Sequence, residues 1–230
     1  MLRVAVVGAA GKMGTATVRA LASAPDLDLV AKVGRADNLR DVLRRARAEI
    51  AIDFTTPEVV EQHLDCYLAE RVRPVVGTTG LSESALARIL AAGRELKLGG
   101  VIAPNFSLGA ALMVQLATQA ARYLSEVEIV EYHHPLKKDA PSGTALRTKE
   151  SLLTALPAGS RCPVHSVRLS GFLAHQEVIL GGRGERLTIR HDALDRDCYM
   201  TGLLFSVRAV MEHNEIIYGL EKLLLDRAAN

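Results

Sequence analysis

The chain begins with an apolar segment that leads directly into a glycine-rich turn. Leu2 to Val7 has the composition of a buried strand, and Gly8-Ala9-Ala10-Gly11-Lys12-Met13-Gly14 follows before a helical stretch up to Ala24. Glycines in such a turn permit a tight bend, let a ligand approach the backbone and let the helix pack on the strand. The order predicts a dinucleotide site. The spacing GxxGxxG departs from the commoner GxGxxG, and glycine turns also serve ordinary strand–helix packing.

Apolar strands alternate with helical stretches as far as Asn105, which predicts a parallel sheet covered on both faces. The predicted strands lie near Val4 to Val7, Leu29 to Val33, Ile50 to Phe54, Val75 to Gly77 and Val101 to Ala103. The predicted helices lie near Met13 to Ala22, Leu39 to Arg47, Pro57 to Glu70 and Ser82 to Leu96.

The pattern changes from Ser107 onward. A long helix to Tyr123 is followed by a strand and then by three strand-like runs with glycine-rich joints, which predict hairpins and a mixed sheet. Those runs are Val164 to Leu169, Gln176 to Leu180 and Arg186 to His191, after a helix from Ser142 to Leu156. The chain ends with predicted helices from Thr201 to His213 and from Ile217 to Asp226. With 230 residues it can form one large domain or two small ones.

Composition excludes several classes of protein. The 28 basic and 26 acidic residues leave a net charge of +2, and aromatic residues are scarce at 4%, so no nucleic-acid surface is indicated. We see no secretory signal and no apolar run near the roughly 20 residues of a membrane span. Cys66, Cys162 and Cys198 form no CxxC motif and are typical of reduced thiols. We therefore expect a cytoplasmic protein without a membrane partner.

A dense group of polar residues lies between Glu128 and Ala145. His133 and His134 end a predicted strand and point to opposite faces, so only one of them need face a given pocket. Lys137 on the following loop offers positive charge to the same space. Ser142-Gly143-Thr144 resembles a helix N-terminus, where free N–H groups favour an anion. The segment predicts an acid, a cation and an anion cradle, and the alternative is a histidine-rich strand followed by a solvated lysine loop.

Three further segments follow predicted strands of the first sheet, at the edge where parallel sheets bind ligands. They are Asp53 to Pro57, Gly77 to Gly80 and Ala103 to Ser107. Their small and hydroxyl residues suit close approach of a cofactor. Each by itself is also compatible with an ordinary loop whose Thr or Ser caps the next helix.

Taken in order, these motifs resemble the dihydrodipicolinate reductase family over nearly the whole chain. The most specific part is E-[IV]-x-E-x-H-x-x-x-K-x-D-x-P-S-G-T-A, which residues 128–145 match without a break. The resemblance implies an α/β protein with a Rossmann-like parallel sheet domain, residues 1–106 and 197–230. It also implies an α+β domain with a mixed sheet, residues 107–196, that binds substrate, carries the catalytic residues and forms a homotetramer. NADH or NADPH would be the hydride donor.

Carried over residue by residue, the resemblance implies His133 as catalytic proton donor and Lys137 as catalytic lysine. The implied contacts of a small dicarboxylate substrate are His134, Gly143 and Thr144, and the predicted helix start adds Ser142. The implied cofactor contacts are Gly8, Ala9, Ala10, Gly11, Lys12, Met13, Gly77, Thr78, Thr79, Ala103, Pro104, Asn105 and Phe106.

The chain departs from the family where the second strand ends. In the family an acidic residue often ends this strand and holds the adenosine ribose. Here Gly34 occupies that place and Arg35 follows, so no carboxylate is available for the ribose unless Asp37 reaches back. Arg35, together with Lys12 and Lys32, offers cations to a 2′-phosphate, so we expect NADPH to be preferred. In many family members a glycine, an acid and a histidine precede the hairpins. Here Leu173-Ala174-His175 stands in that place.

The residue types suit the implied reaction. Hydride arriving at an unsaturated cyclic imine leaves a developing negative charge and demands a proton, which a histidine can supply while Lys137 stabilises charge. No metal site is expected, and we interpret His63, His165, His191 and His213 as surface or satisfied histidines. Two other functions stay open. One is a different Rossmann reductase acting on a dicarboxylate, and the other is a non-catalytic nucleotide sensor, against which the intact His133 and Lys137 argue.

Overall fold

A computed structural model of the protein describes residues 1–228, and side chains as far as residue 224. Two compact units are present, Met1–Phe106 with the chain from Tyr199 onward, and Ser107–Cys198. The chain thus returns to the first unit two residues later than the predicted residue 197. In chain order the elements are β1 (Leu2–Val7), α1 (Lys12–Ala22), β2 (Leu27–Val33), α2 (Leu39–Ala46), β3 (Ile50–Asp53), α3 (Pro57–Glu70), β4 (Arg73–Val76), α4 (Glu83–Glu95), β5 (Gly100–Ile102), α5 (Leu108–Ala120), β6 (Glu126–His133), α6 (Gly143–Leu153), β7 (Val164–Arg168), β8 (Ala174–Gly182), β9 (Glu185–Ala193), a 3-10 helix (Arg196–Tyr199), α7 (Met200–Ala209), β10 (Ile216–Tyr218) and α8 (Leu220–Ala228).

The first unit contains a six-stranded sheet in the order β10-β5-β4-β3-β1-β2. Each neighbouring pair is parallel, which confirms the predicted parallel sheet. Strands β1, β3 and β4 are buried almost throughout, because helices cover both faces and the apolar runs have no solvent-facing side. The sheet order brings the carboxyl ends of β1, β3, β4 and β5 to one edge.

One predicted element in this unit is wrong at its start. The expected helix from Ile217 is instead a strand followed by a helix, because Ile216–Tyr218 pairs with β5 as β10. The β-branched and aromatic side chains of this run favour a strand. Gly219 follows with φ of 104°, a conformation that ends the strand before α8 begins at Leu220.

The second unit contains a four-stranded mixed sheet in the order β7-β6-β8-β9, as predicted. Strand β6 is parallel to β7 and antiparallel to β8, which pairs antiparallel with β9. Helices α5 and α6 cover one face through a core of small and branched side chains. That core contains Ala117, Ala121, Val127, Ile129, Ala145, Leu152, Val178 and Leu180. Alternation along β6 places Glu131 on the same face as Val127 and Ile129, next to the core.

No helix among residues 1–228 is long and apolar enough to cross a membrane. The same part of the chain holds no group of three or more His, Cys, Asp or Glu side chains placed to bind a metal ion.

Candidate active site

The glycine turn after β1 has no room for side chains at two of its positions. A Cβ on Gly8 would lie 2.6 Å from the carbonyl oxygen of Phe54, and Gly8 has φ of 77°. A Cβ on Gly14 would lie 2.2 Å from the carbonyl oxygen of Gly8. Helix α1 begins at Lys12, and its N-cap residue, Gly11, offers no side chain to the N–H groups of the first turn. Those N–H groups suit an anion such as a pyrophosphate.

A cavity of about 370 Å³ lies beside this turn and joins it to the ends of β2 and β3. Its lining includes Gly8, Ala10, Gly11 and Arg35 of the predicted cofactor residues, together with Phe54 and His63. Among the described residues, Ala9, Lys12, Met13 and the segments after β4 and β5 do not line it. Space, glycine backbone and a helix N-terminus therefore fit a dinucleotide in this unit.

The loop after β2 contains Asp37, and the sequence alone leaves open whether this side chain reaches back to the end of the strand. Asp37 reaches back, and its carboxylate accepts a hydrogen bond of 2.7 Å from the backbone N–H of Gly34. Both Arg35 and Asp37 line the cavity, as well as a second space beside it. The cavity thus has one cation and one carboxylate at its β2 end.

Asp53, at the end of β3, organises the neighbouring loops. Its fully buried carboxylate accepts hydrogen bonds from the Thr55 N–H (2.9 Å), the Thr55 hydroxyl (2.6 Å) and the Tyr67 hydroxyl (2.7 Å). His63 Nδ1 lies 2.9 Å away, and the Thr78 hydroxyl donates at 3.4 Å. Burial alone would raise the pKa of Asp53, but the hydrogen bonds from His63, Thr55 and Tyr67 hold it below its ordinary value.

Sequence reasoning missed this group, although a signal for it exists. Asp53 ends a strand that is otherwise apolar, and His63 and Tyr67 lie four residues apart on α3, so they share one helix face. Thr78, predicted as a cofactor contact, is buried and bonded to Asp53. His63 is a satisfied histidine, as interpreted from the sequence.

The segments after β4 and β5 meet around an aromatic pair. The Phe54 and Phe106 rings pack edge to face with centroids 6.0 Å apart. A Cβ on Gly77 would lie 2.2 Å from Cε1 of Phe54, so the glycine makes room for the ring. The predicted contacts Thr79, Ala103, Pro104 and Asn105 lie in these segments, at the same edge of the sheet as the glycine turn. Gly77 and Phe106 thus have packing roles in addition to the predicted cofactor contact.

His133 lies at the end of β6 in the second unit. Its Nδ1 makes a short contact with the carboxylate of Glu131, which is fully buried. The other oxygen of Glu131 accepts a 2.7 Å hydrogen bond from Nη2 of Arg168. Burial lowers the pKa of His133, and the Glu131 carboxylate opposes that shift. Burial would raise the pKa of Glu131, but Arg168, Ser166 and His133 hold it below its ordinary value.

Lys137 lies on the loop between β6 and α6. Its Nζ is 2.8 Å from the Asp139 carboxylate, and this hydrogen bond holds the pKa of Asp139 below its ordinary value. Arg168 also donates to the backbone carbonyl of Asp139 at 2.7 Å. The loop that carries Lys137 is therefore hydrogen-bonded to β7, the strand that pairs with the strand of His133.

The predicted anion cradle is a helix N-terminus. Ser142 caps α6, and its hydroxyl accepts from the Ala145 N–H at 3.2 Å. A Cβ on Gly143 would meet no atom within 4 Å, so there is space beside this backbone, and the Gly143 N–H faces the Asp139 carboxylate. His134 Nδ1 is buried and has no hydrogen-bond partner within the described part of the chain. Ser142 therefore supports the helix, while His134 leaves a buried polar atom for a ligand.

Three further histidines, all in the second unit, have polar partners. His165 contacts Glu128, and His191 Nε2 lies 2.9 Å from the Ser107 hydroxyl, which also caps α5. His175, the histidine of the Leu173-Ala174-His175 segment that differs from the family pattern, is buried, and its Nδ1 lies 2.6 Å from Asp192. The satisfied role expected for His165 and His191 agrees with these contacts.

Comparison with known proteins gives the same assignment as the motifs. The sequence matches the family described as dihydrodipicolinate reductase, N-terminus, over residues 2–106, and the C-terminus of the same family over residues 109–224. The chain belongs to the dihydrodipicolinate reductase family. It is 44% identical to 4-hydroxy-tetrahydrodipicolinate reductase of Lactococcus lactis subsp. cremoris, with 97% of each chain covered. It is 42% identical to that of Coxiella burnetii, with 97% of this chain and 99% of the relative covered.

Solved structures agree with this membership in the reductase family. Dipicolinate-bound dihydrodipicolinate reductase from Paenisporosarcina sp. TG-14 superposes with a TM-score of 0.89 at 35% identity, covering 96% of this chain and 99% of that one. An amine dehydrogenase from Mycobacterium smegmatis gives a TM-score of 0.71 at 11% identity. That second likeness shows the fold alone, an α/β arrangement shared by other dehydrogenases.

Proposed function

We propose that this protein is a 4-hydroxy-tetrahydrodipicolinate reductase, which uses NADPH or NADH to form tetrahydrodipicolinate in the diaminopimelate route to lysine. The observation that carries the proposal is the arrangement of His133, Lys137 and the start of α6 in one unit of a member of this family. The glycine turn and its cavity in the other unit supply the second requirement, a place for the dinucleotide.

The substrate class follows from the second unit. A dicarboxylate needs two anion sites, and the first-turn N–H groups at the start of α6, where Asp139 now faces Gly143, would form one of them. His134, with its unpartnered buried Nδ1, and the positive charge of Lys137 form the other. The solved relative from Paenisporosarcina is described as dipicolinate-bound, in keeping with a planar dicarboxylate.

The chemistry divides between cofactor and protein. Bound nicotinamide supplies the hydride. Loss of the 4-hydroxyl as water would leave an unsaturated cyclic imine, and hydride added to its carbon–carbon double bond would push electrons toward the ring nitrogen. His133 has Nδ1 committed to Glu131, which leaves Nε2 to deliver the one proton that balances the hydride. Lys137 places a positive charge near the same atoms and stabilises the charge that develops. Both side chains act on the substrate, so their loss should lower turnover more than cofactor binding.

Calorimetric titration with pyridine-2,6-dicarboxylate tests the substrate class directly. Wild-type protein with bound cofactor should bind this molecule, and a monocarboxylate of the same ring should bind at least about tenfold more weakly because one anion site stays empty. Equal binding of the two compounds would contradict a two-carboxylate site.

The hydroxyl of Thr144 offers a direct mutational test of the carboxylate cradle. Thr144→Val should chiefly raise the apparent KM for substrate, by about 5- to 20-fold, because one hydroxyl donor is lost while the backbone N–H donors stay. Steady-state kinetics would show this with turnover nearly unchanged. An unchanged KM combined with weak cofactor binding would place Thr144 in the wrong site.

Arg35 is proposed to favour NADPH over NADH. Arg35 lines the cavity, and the residue before it is Gly34, where the family often has an acid. A guanidinium is a good hydrogen-bond donor to a 2′-phosphate. Asp37 lies at the same end and, when bonded to the Gly34 N–H, keeps a carboxylate near the ribose. This neighbour supports the use of NADH as well, so we expect a preference and not an exclusion.

The Arg35→Ala variant should weaken NADPH binding by about 1 to 3 kcal/mol and change NADH binding little, because only NADPH loses a charge-assisted hydrogen bond. Dissociation constants of both cofactors for both proteins provide the measurement. Arg45→Ala, an arginine elsewhere on the surface whose Nε donates to the Asp41 carbonyl, is a matched control. Equal losses for the two cofactors, or none, would show that Arg35 does not recognise the phosphate.

We further propose a cytoplasmic homotetramer. The sheet face opposite α5 and α6 carries a cluster in which the Tyr132 hydroxyl donates to Glu177 at 2.6 Å and the Arg190 guanidinium lies 5.3 Å from the Tyr132 ring centre. The family resemblance assigns assembly to this domain. Light scattering tests the proposal, since a mass other than that of four copies would contradict it.

A further inference from the structure

A charged pair lies directly behind the two proposed catalytic side chains. Glu131 is completely buried on the helix-facing side of β6, where its neighbours on that face are Val127 and Ile129. A buried carboxylate is costly unless it is paired and hydrogen-bonded. Two partners meet this need at Glu131, since one oxygen faces His133 Nδ1 and the other accepts from Arg168.

Arg168 connects this carboxylate to the lysine loop. It lies on β7 directly opposite His133 in the parallel pairing of β6 and β7. Its Nη2 donates both to Glu131 and to the Asp139 carbonyl, each at 2.7 Å, and its Nη1 donates to the Val167 carbonyl at 2.8 Å. Asp139 in turn holds Nζ of Lys137 at 2.8 Å. One guanidinium therefore spans two strands and the loop of the catalytic lysine.

We infer that Glu131 and Arg168 are positioning residues, which fix the ring of His133 and the loop of Lys137 in one common arrangement. The inference rests on the function proposed above, in which His133 donates the proton. Glu131 accepts at Nδ1 and so selects the neutral tautomer with hydrogen on Nδ1. Nε2 of His133 then carries a proton only when the ring is an imidazolium, and that form donates the proton to the substrate.

The charge balance around His133 makes this role measurable. The groups facing the ring are the Glu131 carboxylate on its own strand, Arg168 on β7 and Lys137 on the loop. Burial already disfavours the imidazolium, and the two cations act in the same direction. Removal of the carboxylate charge would leave the ring buried between two cations. The pKa of His133 should then fall further, and less of the proton donor should exist at neutral pH.

The alternative is a buried ion pair that only stabilises the fold. A purely structural pair would change stability and would leave the tautomer and the pH profile of the folded enzyme unchanged. Glu131→Gln separates the two roles, because the amide keeps the shape and a hydrogen-bond acceptor and loses the charge. The matched control is Glu128→Gln, which removes an exposed carboxylate from the same strand, where it pairs with the exposed His165 of β7.

The first experiment uses nitrogen-15 NMR of the histidine side chains in the wild-type protein, with His133 assigned by comparison with His133→Gln. Neutral His133 should carry hydrogen on Nδ1, and in Glu131→Gln its pKa should fall by about one unit or more. Glu128→Gln should leave the His133 signals unchanged. Hydrogen on Nε2 in neutral wild-type His133 would overturn the inference, and this result needs neither a folded Glu131 variant nor activity.

The second experiment measures turnover against pH. Because the protonated ring donates, turnover falls as the pH rises through the pKa of His133. Glu131→Gln should move this fall to lower pH and reduce turnover at neutral pH by about 10- to 100-fold, with substrate KM nearly unchanged. Arg168→Lys should retain more turnover than Arg168→Met, since the lysine keeps one charge. A Glu131→Gln profile that superposes on wild type would overturn the inference.

The two proposals fail in distinguishable ways. An inactive wild-type protein would contradict the reductase function and leave the NMR result to decide the Glu131 contact. An active wild type whose His133→Ala variant keeps full turnover would remove the proton donor and this inference with it. Circular dichroism of each variant identifies any that does not fold, in which case the wild-type tautomer decides.

Discussion

His133→Ala is expected to lower turnover by about two to four orders of magnitude, with cofactor affinity nearly intact. The ring lies at the end of β6 with Nδ1 held by Glu131, so its loss removes the proton donor and leaves the cavity beside the glycine turn unchanged. The same loss is expected for Lys137→Ala, because a positive charge near the reacting atoms disappears. Single-turnover kinetics with both cofactors and fluorescence titration of NADPH provide the measurements.

Two neighbouring residues are matched controls for these variants. Lys138→Ala removes the adjacent lysine of the same loop, and His165→Ala removes an exposed histidine of the same sheet that pairs with Glu128. Both should keep turnover within a few-fold of wild type. Turnover near wild type in His133→Ala would remove its proposed role, whatever the controls show.

Asp53→Ala is expected to destabilise the first unit by about 3 to 5 kcal/mol, because the hydroxyl of the fully buried Tyr67 and the Nδ1 of His63 lose their acceptor. The loops that carry Thr55 and Thr78 lose their common anchor, so cofactor binding should weaken as well. Denaturant unfolding and NADPH titration measure the two effects. Asp65→Ala, which removes an exposed carboxylate paired with Arg88 on the same surface, should lose much less stability.

The effect of Asp53 should depend on pH in a defined direction. Its pKa in the folded protein is below its ordinary value, so its contribution is present above the unfolded carboxyl pKa of about 4 and is lost as the pH falls through the lower folded value. The stability difference between wild type and Asp53→Asn should therefore shrink on acidification below that range. A difference that grows there would contradict a stabilising ionised Asp53.

Most of the architecture could be predicted from local patterns. The apolar run, glycine turn and helix at the N-terminus specify a strand–turn–helix unit, and the alternation that follows specifies parallel pairing. Strand β10 could not be found in this way. Its three residues lie between helical segments, and their conformation depends on pairing with β5 more than one hundred residues earlier in the chain.

In the candidate site, too, some residues could be identified from a local motif and others could not. His133, Lys137 and the Ser142 cap lie within one short segment, so a motif identifies them together. The partners Glu131 and Arg168 meet because β6 and β7 pair in a particular register, and Asp53 meets Tyr67 because α3 packs on β3. Contacts of this kind depend on tertiary structure, and a sequence pattern shows the residue types without the pairing. Asp37 is an intermediate case, since its reach back to Gly34 was one of two open alternatives.

The most direct test of the central claim follows the oxidation of reduced nicotinamide by absorbance, with the substrate generated in place by the synthase that precedes this reductase. The purified chain is expected to oxidise NADPH, and NADH less efficiently, at a rate that depends on the synthase and is inhibited by pyridine-2,6-dicarboxylate. The His133→Ala variant is expected to show almost no oxidation in the same mixture. No synthase-dependent oxidation by a folded wild-type protein that binds NADPH would contradict the proposed function.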